Sequence, residues 1–322
     1  MSAQRAPRGP WLAAAGLGLS ALVWGLSWWP VRHAQALGVQ PLWTTALIEI
    51  PGTVLLLMLR PGTLLEVLRS PGLALVALGS GGANVCFNLG VAAGDVVRVV
   101  LLFYLMPVWA TLLARAVLRE RIGVAGWLRL ALALGGALLV LWPRDGGWPV
   151  PHHAADWLGL CGGMFFALNN VMLRRCAGAS AAAGMLAMFT GALLCSALLG
   201  GLLLQLGAIA VPPAPRVAWL LPVGLLGCAL VAGGFGLQYG AARLSAGLTA
   251  LVMMLEIVFA SLSSALLGAS HPGLHAAAGG ALIAAGVLFG AMAEARARAA
   301  APDETYDPRS HGAAQAPPRR PT

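Results

Sequence analysis

Apolar runs of about 20 residues, the length a helix needs to cross roughly 30 Å of hydrocarbon, can be placed ten times along the chain. They fall near 11–29, 41–59, 73–92, 97–116, 127–142, 157–173, 181–204, 219–239, 246–267 and 274–292. In lipid every backbone N–H and C=O must find its partner within the protein, so such runs fold as helices. Hydrophobic residues make up 59% of the 322 positions and charged residues 10%, and the mean hydropathy is +0.82. A soluble domain is only about half apolar, so the expectation is an all-α integral membrane protein with ten transmembrane helices.

The second half of the chain repeats the first at an offset of about 150 residues. Asn88-Leu-Gly90-Val-Ala92 aligns with Gln238-Tyr-Gly240-Ala-Ala242, the segment Leu105 to Leu112 with Leu255 to Leu262, and Gly136 with Gly286, all without a gap. Five spans per copy is an odd number, so the second copy enters the membrane from the opposite side and the halves form a 5+5 inverted repeat. Loop charge agrees with this. Arg115, Arg119, Arg121 and Arg129 follow the fourth span, whereas the equivalent loop, 268–276, has no Arg. The resulting division is a cytoplasmic N-terminus (1–10), a first repeat (11–143), an external linker rich in Gly and Pro (144–156), a second repeat (157–292) and a disordered cytoplasmic tail (293–322).

Every Lys/Arg position is Arg, and the net charge is +9. With both termini inside, 16 of the 20 Arg fall in inside loops, and only Arg32, Arg98, Arg144 and Arg216 fall outside. The charge is therefore an orientation signal for a multi-pass inner-membrane protein rather than a nucleic-acid footprint. Arg5, Arg8, the first apolar run and Ala34-Gln35-Ala36 mimic a cleavable signal peptide. The run is too long for one, and its removal would leave nine spans and break the repeat. Cys86, Cys161, Cys176, Cys195 and Cys228 lack metal-ligand spacing and are expected as free packed thiols. Trp clusters near span ends as interfacial anchors. Gly236 and Gly240, like Gly286 and Gly290, have GxxxG spacing, read as packing within the bundle more readily than as a dimer face.

Four motifs carry a resemblance: Trp24-Gly25-Leu26-Ser27 in the first span, Leu105-Met106-Pro107 in the fourth, Leu118-Arg119-Glu120-Arg121-Ile122 after it, and the Gly280 to Gly286 run of the tenth. Together with the repeat, over about residues 11 to 292, the chain resembles an EamA-type carrier of the drug/metabolite transporter superfamily. Phe103-Tyr104-Leu105-Met106-Pro107 is similar to the fourth span of the aromatic amino-acid exporter branch. Met106 departs from that pattern, as do Ile257 and Ser270 in the second copy.

Carriers of this build place polar groups near the bilayer midplane, where helices break. A carboxylate at a helix centre costs about 2.5 to 3.5 kcal/mol, so Glu49 and Glu256 should face the bundle interior. There they act either as proton-coupling groups or as carboxyls hydrogen-bonded to a neighbouring helix. Thr249, Met253 and Glu256 share one face of the ninth helix, and Tyr104, Pro107 and Thr111 share one of the fourth. Pro107 should kink its helix and free a carbonyl. Asn84 and Asn88 lie one turn apart, Asn88 matching Gln238. Asn169 and Asn170 are adjacent, so at most one of them can meet a substrate. Trp24 is placed to stack on an aromatic or cationic substrate. These residues are the substrate-binding candidates, each with ordinary helix packing as its alternative. Asp95 and Arg98 read as a solvated external turn, with a local ion pair or gate as the other reading.

The function expected is export of small metabolites, amino acids first, by alternating access and with protons as the coupling ion. A carrier of nucleotide sugars or lipid-linked groups, or a non-transporting membrane subunit, are the alternatives. A membrane enzyme would need clustered His, Asp or a nucleophile with a base, and no such cluster is present. No cofactor or metal is implied, and the oligomeric state is left open.

Overall fold

The computed structural model describes residues 9–119, 124–142, 150–241, 243–244, 249, 252–253, 255–270 and 273–300. Among them there is no strand. The helices are α1 (Gly9–Leu26), α2 (Trp28–Ala36), α3 (Pro41–Leu59), α4 (Gly62–Arg69), α5 (Pro71–Ala93), α6 (Val96–Phe103) and α7 (Met106–Leu113). A π-helical turn (Ala114–Leu118) follows, then α8 (Val124–Leu141), α9 (Ala154–Arg175), α10 (Ala181–Gln205), α11 (Val217–Ala241), α12 (Leu255–Leu266) and α13 (Leu274–Ala300). Each of the ten apolar runs contains helix. Six stretches are long and apolar enough to cross a membrane: Leu12–Ala36, Pro41–Leu59, Pro71–Ala93, Val96–Leu118, Ala181–Gln205 and Val217–Leu237. Shorter apolar helices cover Gly126–Leu141, Leu255–Leu266 and Leu274–Phe289.

Helix starts follow local chemistry. Pro41 and Pro71 stand in the first turns of α3 and α5, where a backbone donor is not needed. Ser70, Asp95 and Ser180 accept from the N–H three residues on and so cap α5, α6 and α10. Asp156, in the first turn of α9, closes a capping box with His153.

Two spans are broken. The first divides at Ser27, whose hydroxyl and N–H both donate to the Trp24 carbonyl, at 2.7 and 3.2 Å. The fourth divides at Tyr104 and Leu105, between α6 and α7. A kink at Pro107 was the expectation. The break instead lies just ahead of it, because Pro107 falls in the first turn of α7, where its missing N–H leaves no orphan.

Packing pairs fall in a recurrent order. Around a ring, α1 packs on α11, α11 on α3, α3 on α10, α10 on α5, α5 on α9, α9 on α6 and α7, α6 on α12, and α12 on α1. Outside the ring α8 and α13 pair with each other and lean on α6. Close approach relies on Gly. A Cβ on Gly236 would lie 2.5 Å from the Gly16 carbonyl oxygen, and one on Gly136 would lie 2.6 Å from that of Gly279. Gly240 meets the Ala13 carbonyl in the same way, so the 236/240 pair packs inside the bundle as expected.

Candidate functional site

Both broken helices converge on the start of α12. A Cβ at Gly25, beside the first break, would lie 2.8 Å from the Glu256 carbonyl oxygen and 2.6 Å from the Phe259 Cβ. Only the absence of a side chain lets α1 lie against that turn of α12. At the second break Gly163 of α9 does the same for the Phe103 carbonyl, which a Cβ would meet at 2.5 Å. Phe103, freed of helical continuation, therefore sits against α9 backbone, and Tyr104 faces α12. The Tyr104 hydroxyl donates to Glu256 Oε2 at 2.8 Å, joining residues 152 apart in sequence. Tyr104 is 5% exposed, and Glu256 is half-buried in the first turn of α12.

A second polar pair links α5 and α3. Asn88 Nδ2 donates to Thr45 Oγ1 at 2.9 Å, and that hydroxyl donates to its own helix at the Pro41 carbonyl, 2.8 Å away. Glu49 lies one turn beyond Thr45, 4% exposed, with no hydrogen-bond partner among the described residues. Thr53 continues the same stripe and its buried hydroxyl is also unpartnered. Thr45 and Thr53 carried no sequence signal of their own, since a Thr in a membrane helix most often bonds back to its own carbonyls.

The remaining candidates separate. Asn84 is spent on its own helix, its amide donating to the Ser80 carbonyl at 3.1 Å. Asn169 is 1% exposed with a buried, unpartnered Oδ1, whereas its neighbour Asn170 is exposed. The two differ in exposure, yet the Asn169 amide still donates to Asn170 Oδ1 at 3.4 Å. Thr111 donates to the Pro107 carbonyl at 2.7 Å. Trp24 is half-buried against a cluster that includes Trp43 and Trp219. Met253 is helical and half-buried, and the Thr249 hydroxyl is buried without a partner. The Gln238 side chain, like Glu120 and Arg121, lies outside the described residues. The five cysteines are unpaired, and no group of three His, Cys, Asp or Glu able to hold a metal occurs among the described residues.

The Asp95–Arg98 turn is neither a solvated turn nor a local ion pair. Asp95 caps the Arg98 N–H, but the Arg98 guanidinium reaches Asp156 at 2.6 and 3.0 Å and the Val140 carbonyl at 3.0 Å. This is a two-pronged pair between α6 and α9, with Asp156 almost wholly buried. Burial alone would raise the Asp156 pKa. The Arg98 hydrogen bonds and charge, with the N–H groups of His153 and His152, outweigh it and hold the carboxyl below its usual range.

One solved crystal structure of a protein is similar over 90% of this chain and 99% of its own, with 22% identity and a TM-score of 0.57. That likeness concerns the fold alone. A search of curated proteins finds no match. Residues 11–142, which supply Trp24, Glu49, Asn88, Tyr104 and both helix breaks, match the EamA-like transporter family.

Proposed function

We propose that the protein is a secondary carrier that exports small polar or aromatic metabolites, amino acids first, by alternating access between two inverted five-helix halves, coupled to protons. The observation that carries this reading is the Tyr104–Glu256 hydrogen bond at the meeting of a broken helix from one half with the start of α12 from the other. A buried carboxyl shared between two elements can bind a proton or an ammonium in one arrangement and release it when the elements part.

The repeat finds support in the packing. Exchanging each helix for its counterpart 150 residues away turns α5 on α9 into α11 on α1, and α5 on α10 into α11 on α3. Both members of each pair occur. The extent of the family match, one set of five expected spans, accords with this. Within the reading, Glu256 carries the coupling proton, with Glu49 as a second carboxyl. Asn88, Tyr104, Asn169, Trp24 and Met253 face the substrate, and both termini are cytoplasmic.

Flux of labelled amino acids into proteoliposomes, with and without an imposed proton gradient, tests the proposal. Gradient-stimulated uptake of one class is expected. Flux that ignores the gradient would remove the coupling, and no flux of any amino acid would remove the substrate class.

A further inference from the structure

Arg32 and Arg98 lie on the side of the membrane that the charge bias leaves nearly free of Arg. Neither is idle there. Arg32 Nε donates to the Val91 carbonyl at 2.5 Å, one terminal nitrogen donates to the Gly94 carbonyl, and the other to Ala269 at 3.3 Å. One cation thus bonds the closing turn of α5 and the segment after α12, where carbonyls lack helical partners. Its guanidinium also stands 5.7 Å from the Trp28 ring centroid. Trp28 Nε1 in turn donates to Ser263 Oγ at 3.0 Å. A few residues on, Ser270 Oγ donates to Asp95 Oδ2 at 2.5 Å.

Three bonds from the first half therefore seize one short stretch, residues 263–270, at the end of α12. Trp28, Val97, Val100, Leu101 and Ala260 belong to one buried apolar cluster that also contains Tyr104. The Tyr104–Glu256 contact lies on the same helix, two turns from Ser263. Unlike the Asn88–Thr45 pair, these bonds join segments at helix ends, where a small rotation of α12 would part all of them together.

The geometry points to a latch: Trp28–Ser263, Arg32–Ala269 and Asp95–Ser270 hold the α12 end against α2 and the α5–α6 turn, seal this face of the protein above the Tyr104–Glu256 contact, and must separate for the face to open. The inference rests on the alternating-access reading, but its first test does not depend on transport.

In a background with the five cysteines replaced, spin labels at Leu37→Cys and Leu267→Cys would sit on opposite halves at exposed positions on this face. Distance distributions in liposomes are then compared for the parent, Arg32→Gln, Asp95→Asn and Ser270→Ala. A new, longer population in the three variants is expected. Distributions identical to the parent's would overturn the latch. The second arm replaces the Asp95–Ser270 bond with a covalent bridge: Asp95→Cys with Ser270→Cys, joined by a short bis-thiosulfonate cross-linker. Flux should be lost on cross-linking and return with reductant, and transport at full rate through the bridged protein would also overturn it. A protein with no flux before cross-linking counts against the carrier reading, and the distances then decide the latch alone.

Discussion

Asp156 shows how far a single side chain can tie pH to stability. Its folded carboxyl titrates below the unfolded value of about 3.9. Its contribution is therefore complete above about pH 4 and disappears as the pH falls through the lower folded value. Asp156→Asn should cost on the order of 3 kcal/mol at neutral pH, because it leaves Arg98 without its counter-charge. The loss of thermal stability should shrink toward pH 3, as followed by melting in detergent. A melting temperature unchanged at pH 7 would refute the assignment. In the proposed function Glu256 carries the coupling proton. Glu256→Gln retains a group that can accept from Tyr104 but cannot exchange a proton, so it should abolish the pH dependence of net flux while leaving substrate counterflow. Loss of counterflow as well would place Glu256 in substrate binding. Both Glu256 and Tyr104 were legible as candidates because a carboxylate in an apolar run is costly and a Pro nearby promises a break. Their direct bond was not legible, since it joins residues 152 apart and depends on how two helices cross. The Arg98–Asp156 pair was missed for the same reason. Sequence proximity favoured Asp95, but at that spacing its carboxylate caps the backbone instead.

At the scale of the helix, Gly decides how closely elements meet. Gly135 and Gly136 are neighbours, yet a Cβ at Gly135 would find nothing within 4 Å, while one at Gly136 would strike Gly279 and Ile283 at 2.6 Å. Gly136→Ala should therefore lower stability by about 1 to 3 kcal/mol through overpacking. Gly135→Ala should be neutral or stabilising by up to about 1 kcal/mol from helix propensity. Melting of the two variants side by side checks the contrast, and equal effects would argue against the α8·α13 crossing. Helix positions were readable from apolar run length, because the membrane leaves the backbone no other solution. The break in the fourth span was readable to within a few residues. Its placement ahead of Pro107 follows from which residue the new helix uses as its first turn, a choice made jointly by Gly163 and the Phe103 carbonyl and not written in the local sequence.

Over the whole molecule, the ring joins the halves at every step. Expressed as separate pieces, residues 1–149 and 150–322 should each fail to accumulate in membranes, and should co-purify when made together. Stable accumulation of either piece alone would show that it folds without the other. The apolar runs made the all-helical, multi-pass architecture legible because they are properties of long segments. The site was only partly legible, because Thr45, Ser263 and Ala269 matter through what lies opposite them.

Going round the ring, each helix from the first half has both neighbours from the second, and the reverse holds too. Under the repeat proposed above, no step of the circle is internal to one half. A single five-helix unit could therefore have closed such a circle only by meeting another copy of itself upside down, with every contact of the ring then a subunit boundary. Fusion of two such genes would have changed no contact. It would have freed the two copies to diverge, so that Tyr104 and Glu256, Asp95 and Ser270, could become unlike partners across what had been an axis of symmetry.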